Sequence, residues 1–287
     1  MYRAFICFII LLVVNLAQGQ QKTVTLSPVI GDIPELDARA QKEIDRRDQL
    51  TSKKILSVTE KKELERLYEK YDEVTESIWD VVGGGCSWYC GGGPYKETAS
   101  SFLKSNKSTD YKPENAHDLS FKTAWVEGVP GYGAGQYLTY YFKNDSPRIT
   151  EINIYNGYVK SEKAWSENSR VKKLKLWIND QFFAILELED SRALQTFPMA
   201  EPLGHRKDGK DLILKFEIMD IYKGTKFDDV AITEIYFDGI DVHWMKNPPL
   251  AIQLLVLLVG ILLDWAIGQM RGFFFPYSLL TVQRWKD

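Results

Sequence analysis

An antiparallel β-sandwich is the fold class this sequence predicts, and three observations carry the prediction. Six segments alternate apolar and polar side chains and are rich in β-branched and aromatic residues: 137–142 (YLTYYF), 149–158 (ITEINIYNGY), 171–179 (VKKLKLWIN), 182–190 (FFAILELED), 212–222 (LILKFEIMDIY) and 231–244 (AITEIYFDGIDVHW). Turn formers separate them, as at Asn144-Asp145-Ser146-Pro147 and Lys207-Asp208-Gly209. No helical period intervenes, so strands are joined by turns rather than crossover helices, which selects antiparallel pairing in two layers.

The elements before the sandwich follow from composition. Residues 1–19 (MYRAFICFIILLVVNLAQG) combine one Arg, an apolar run over 4–14 and small residues Ala17 and Gly19. They read as a secretory signal peptide. An uncleaved anchor is the alternative, against which the apolar run is shorter than the roughly 20 residues of a span. Residues 20–36, with Pro28, Gly31 and Pro34, read as a flexible leader. Residues 37–82 form a charged helical spacer, with Leu64, Leu67, Tyr68, Tyr71 and Val74 at helical intervals. A helix start is signalled by Ser57-x-x-Glu60, or by Thr59 with Glu63, and a hairpin break is expected near Thr51-Ser52.

The sandwich domain is assigned to 83–245 and opens with GGGCSWYCGGG. After export Cys86 and Cys90 are the remaining cysteines, Cys7 lying inside the signal. An oxidising compartment favours a local disulfide, with a redox-active pair or a metal clasp as alternatives. Such a clasp is expected to push Trp88 and Tyr89 outward. Residues 249–270 are long and apolar enough for a transmembrane helix, interrupted by Gln253 and Asp264. Packing on the protein and removal as a sorting tail are the other readings. Arg271, Arg284 and Lys286 make 271–287 a basic tail, which orients it to the cytoplasm. The 36 basic and 39 acidic residues leave a formal charge of -3, so no basic field holds nucleic acid.

The segment 111–142 carries Asn115-Ala116-x-Asp118 and Thr123-Ala124-Trp125-Val126-Glu127-Gly128. Further on stand Asn156-Gly157-Tyr158, Asn168-Ser169-Arg170-Val171-Lys172-Lys173-Leu174 and Thr233-Glu234-Ile235. With these motifs, residues 86–243 resemble the NADase-type glycan-binding domain, of the discoidin-like, galactose-binding-like superfamily. One departure is Ala134-Gly135-Gln136, where Ile-Gly-Glu is expected. The resemblance implies an eight-stranded jelly roll and carbohydrate recognition without hydrolase activity. It also implies a structural calcium held by Asp118, Thr123 and Glu234, oxygen ligands suited to a hard cation; a plain hydrogen-bonded turn is the alternative.

Sugar sites need aromatic faces for the pyranose ring, framed by amides and charged donors. The loop residues that offer these are Trp88, Tyr89, Tyr132, Tyr158, Trp165, Asn168 and Arg170. Trp125 reads as core, and Asn156 and Arg170 also suit loop bracing. Residues 128–135 (GVPGYGAG) lack the Lys-Ser/Thr and the helix of a phosphate loop. Cys86 or Cys90 with His117 would imitate a thiol hydrolase, but paired cysteines argue against a free nucleophile. The expectation is an exported, envelope-anchored binding protein. Its partner is a glycan or glycoconjugate, or alternatively a protein.

Overall fold

The computed structural model describes residues 23–72, 75–83, 88–105 and 109–240. Eleven strands in the described residues form two sheets. In chain order they are β1 (Thr25–Leu26), β2 (Val29–Ile30), β3 (Lys96–Ala99), β4 (Trp125–Val126), β5 (Tyr137–Phe142), β6 (Arg148–Asn156), β7 (Arg170–Ile178), β8 (Gln181–Glu187), β9 (Gln195–Leu203), β10 (Leu212–Tyr222) and β11 (Ala231–Ile240). One sheet has the order β1-β8-β7-β10-β5-β3 and the other β2-β9-β6-β11-β4. All six predicted strands form, and all pairings among them are antiparallel. The β7–β8 hairpin turns through Asn179 and Asp180, both at positive φ, as a two-residue turn of matching twist requires.

Period-two alternation sends one face of each strand inward. Leu138, Tyr140 and Phe142 of β5 and Leu214, Phe216 and Ile218 of β10 meet Ile152, Ile154, Phe197, Ile235 and Phe237 of the opposite sheet. Each such side chain, fully buried, contributes about 1.5–3 kcal/mol. Trp125 is fully buried in this core, as expected.

Two differences from the sequence reading concern sheet edges. Over its described part the leader, expected to be flexible, is paired into both sheets. β1 pairs in parallel with β8, β2 pairs with β9, and Gly31 and Leu194 exchange backbone bonds with Leu194 and Asp32 at 2.9 and 3.0 Å. Open edges present unpaired amides and carbonyls, and the leader satisfies both sheets at once. β9 was hidden by Pro198 and Pro202, which cannot donate to a ladder. They are tolerated because β2 covers only Gln195 and Thr196, leaving the prolines on the free edge. With the short β1 to β4 added, the strand count exceeds the eight implied by resemblance.

Helix α1 (Ala38–Thr51) and helix α2 (Val58–Lys70) form the charged hairpin. The break falls after Thr51, and Ser57 with Glu60 makes a reciprocal capping box. Ile44, Leu50 and Leu67 are buried between the helices. Arg47 is buried too, and its guanidinium donates to the carbonyls of Asp72 and Thr75 at 2.6 Å each. The helical period therefore stops at Lys70. Trp79 and Val81 instead pack with Phe121 and Tyr155 in a second apolar cluster, which ties this segment to the sandwich.

Among the described residues no helix is long and apolar enough to cross a membrane. The predicted signal segment 1–19, the apolar segment 249–270, the tail 271–287 and Cys86 all lie outside the described residues.

Candidate functional site

The cysteine loop does not present its aromatics as predicted. A 3₁₀ turn over Trp88–Cys90 turns Trp88 into the main core, where it is 7% exposed, while Cys90 faces out. Burying a large indole is worth more than displaying it, and Gly92 makes room: a Cβ there would stand 2.8 Å from the Trp88 ring. Tyr89 is half-buried, edge-on to Trp88, and its hydroxyl accepts the Phe237 amide at 2.8 Å. Burial pushes its phenol well above the ordinary range. The Trp88 ring is therefore not free to stack on a sugar, and the Tyr89 ring is only partly exposed. His117 is likewise committed. Its Nδ1 lies 2.8 Å from the Ile235 carbonyl, which makes it the donor, and its ring packs among Tyr89, Tyr140 and Phe237. Burial depresses its basicity.

A second group is brought together behind a cleft. The Asn156 side chain is fully buried and bonds Val171 twice, donating to its carbonyl at 2.7 Å and accepting its amide at 3.0 Å, which stitches β6 to β7 across the two sheets. Helix α3 (Glu162–Glu167), capped by Ser161, carries Trp165, whose Nε1 donates to the Asn156 carbonyl at 2.9 Å. Arg170 grips Asp190 with two bonds of 2.7 and 3.1 Å and donates to the carbonyls of Trp165 and Asn168. Arg170, which is buried, thus braces the loop, and the half-buried Trp165 is anchored by it. Tyr132 stands elsewhere, beneath the Lys223 ammonium at 4.7 Å.

Tyr158 and Asn168 reach the cleft itself. It has a volume of about 200 Å³ and is lined by Leu103, Tyr111, Val126, Tyr158, Ala164, Glu167, Asn168, Phe227 and Asp229. The Asn168 amide donates to the Ala164 carbonyl, so its Oδ1 is the atom left to accept from a ligand. Burial and neighbouring Asp228 raise the Asp229 carboxyl above its ordinary pKa. Tyr111, Glu167, Phe227 and Asp229 escaped the sequence reading because they come from three separate places, the loop before β4, the end of α3 and the β10–β11 loop, with no shared motif.

The predicted calcium ligands also assemble. Thr123 donates its hydroxyl to both Asp118 oxygens at 2.9 and 2.7 Å, and the Ser120 amide bonds Asp118 and Glu234 at 3.1 and 3.0 Å. Glu234 is fully buried, and its Oε2 has no hydrogen-bond partner among the described residues. Burial, reinforced by the Asp118 carboxylate, holds its pKa well above the carboxylate range. An orphaned buried carboxylate oxygen beside a second carboxylate fits a hard cation. Among the described residues there is no cluster of three His, Cys, Asp or Glu side chains, so this donor set rests on two carboxylates plus hydroxyl and carbonyl oxygens.

Residues 88–238 match the family model of the NAD glycohydrolase translocation F5/8 type C domain. That span is more than half of the 287 residues, and the chain belongs to this discoidin-like family. Similar solved structures include CpGH89CBM32-5 from Clostridium perfringens, in complex with GalNAc-β-1,3-galactose, at 16% identity over 50% of this chain and 94% of that one, with a TM-score of 0.37. The family 32 carbohydrate-binding module of Streptococcus pneumoniae EndoD aligns at 8% identity over 50% and 95%, with a TM-score of 0.35. The arabinofuranosyltransferase AftD from Mycobacteria aligns at 16% over 51% of this chain but 10% of its own, with a TM-score of 0.35. No curated protein matches the chain.

Proposed function

We propose that this chain is a non-catalytic glycan-binding protein that holds sugar in the cleft between Tyr158, Asn168, Glu167 and Asp229. The observation that carries the reading is the lining itself: aromatic rings of Tyr111, Tyr158 and Phe227 converge with one amide and two carboxylates. Pyranose rings offer C–H faces to aromatics and hydroxyls to carboxylates, and a concave site with few convergent polar groups is how small ligands are oriented. Membership of the family supports it. Asp118, Thr123 and Glu234 hold a structural calcium in this proposal, which fixes the 118–123 loop and performs no chemistry. Export and anchoring through 249–270 complete the setting at the cell envelope.

The test is a glycan array probed with the purified full chain, with and without calcium chelator, beside Glu167→Gln and Asp229→Asn. Selective binding that both variants weaken by about tenfold, near 1.4 kcal/mol, is the expected result. Silence across the array from folded protein overturns the reading.

A protein partner is the second reading. Ile55 and Val58, at the tip of the α1–α2 hairpin, are 86% and 74% exposed and favour it. Binding to a protein stripped of its glycans, lost in Ile55→Ser/Val58→Ser, would replace the glycan reading.

A further inference from the structure

We infer that the recognition surface selects glycans carrying an anionic group, bound by Lys122 and Lys160 in a second cleft that shares Tyr158 with the first; this rests on the glycan reading above. The second cleft has a volume of about 440 Å³ and is lined by Lys112, Lys122, Lys160, Asn115, Thr123 and Tyr158, with Thr109 and Asp110. That size lies within the range of about 300–1,000 Å³ usual for small-ligand sites.

Its charge is one-sided. Its lining holds three lysines against one carboxylate, Asp110, with Asp118 bonded behind Thr123. Lys112 is spent on Asp110, at 3.2 Å, whereas neither Lys122 nor Lys160 has a carboxylate within ion-pair distance among the described residues. The chain as a whole is slightly acidic, so this local excess of cations is not a reflection of bulk composition. Lys122 also packs on an aromatic ring outside the cleft, with Asp80 as a more distant charged neighbour. Its ammonium lies 5.6 Å from the Trp79 ring centre, and its carbonyl accepts the Tyr158 hydroxyl at 3.1 Å. The aromatic wall of the neutral cleft is therefore bonded to the backbone of a cationic residue in the next one. A sugar against Tyr158 has a positively charged neighbour site for a substituent.

The neutral donors of Thr123, Asn115 and Tyr158 are already used, the Tyr158 hydroxyl on the Lys122 carbonyl. The Thr123 hydroxyl donates to Asp118, and the Asn115 amide donates to the carbonyls of Asp110 and Ala124. Ammonium groups are thus the donors left for a ligand, and they favour carboxylate, sulfate or phosphate oxygens over sugar hydroxyls. Lysine suits this task as a mobile point charge rather than a planar fork, so the site discriminates by charge more than by the geometry of the anion.

The experiment measures binding of the full chain to N-acetyllactosamine, its sialylated form and its 6-sulfated form, with polyglutamate as a sugar-free anion, at low and high salt. The sialylated or sulfated sugar is expected to bind at least about tenfold tighter than the neutral parent. Salt should narrow this gap, since exposed charges are screened over about 8 Å at physiological ionic strength. Lys122→Gln/Lys160→Gln should remove the gap while leaving neutral binding unchanged and lowering the melting temperature only slightly, through the lost Lys122–Trp79 contact. The two acidic sugars separate a carboxylate preference from a sulfate one. Binding to all three sugars without preference, a preference that survives in the double variant, or equal binding to polyglutamate each overturns the inference while leaving the neutral-cleft reading standing. Binding to none of the sugars removes both.

Discussion

The guanidinium of Arg170 lies over the Trp165 ring, its carbon 4.3 Å from the ring centre, while its far side is forked onto Asp190. Arg170 is 6% exposed, so the stack is desolvated. This pair holds helix α3, and with it Asn168 and Glu167, against the end of β7. Arg170→Ala strands Asp190 and two carbonyls. The expected cost is about 3 kcal/mol, at the lower end of the range for a broken buried pair because Asp190 keeps partial solvent access. Arg170→Lys keeps the charge but not the fork and recovers part of that loss. Urea unfolding of the two variants distinguishes them.

Gly157 sits under the same stack at φ +82°, and a Cβ there would stand 2.7 Å from both Arg170 and Trp165 side-chain atoms. Gly157→Ala is expected to destabilise by about 1–3 kcal/mol through overpacking, added to the strain of a positive φ. The indole fluorescence of Trp165 should shift with it. An unchanged melting temperature would show that the stack is loose.

Trp88→Ala separates core from contact. As a buried side chain in the main cluster, it should cost about 3–5 kcal/mol. Glycan affinity of the folded fraction should stay at the parent value, because the ring lines neither cleft. Lost affinity with unchanged stability would return Trp88 to the surface role that the sequence suggested.

Glu234 predicts a linked response to pH and calcium. Its folded pKa is raised, so the folded state holds a proton that the unfolded chain releases. Without metal, stability should be fullest below the ordinary carboxylate pKa and should fall as pH rises from there through the raised folded value. Glu234→Gln abolishes that fall and makes the chelated protein more stable at neutral pH. Calcium at 100 times its Kd should stabilise the parent by about 2.7 kcal/mol and the variant hardly at all. Thermal unfolding across pH, with calcium and with chelator, reads all of this.

The local parts of this protein are written in its sequence. Period-two alternation alone placed six of the seven long strands, β9 being the exception, because a side chain's face on a strand depends only on its neighbours two residues away. Ser57 and Glu60 announced the α2 start for the same reason, as a capping box is closed within four residues. Motifs around Asn156, Asn168 and Arg170 marked a real cluster, although Arg170 turned out to brace it.

Tertiary structure decided what depends on distant partners. The leader became two edge strands only because β8 and β9 offered open ladders. Trp88 went inward because Gly92 and the space between the sheets admitted it, a fact that no local pattern around Cys90 contains. The clefts are the clearest case. Tyr111, Tyr158, Glu167 and Asp229 are separated by up to 118 positions in the chain and meet around one cleft, and the lysines of the neighbouring cleft are brought together only when the loops converge. Hydrophobic burial drives those loops into place without regard to what their polar ends will line, so the cleft linings appear only once the two sheets have closed.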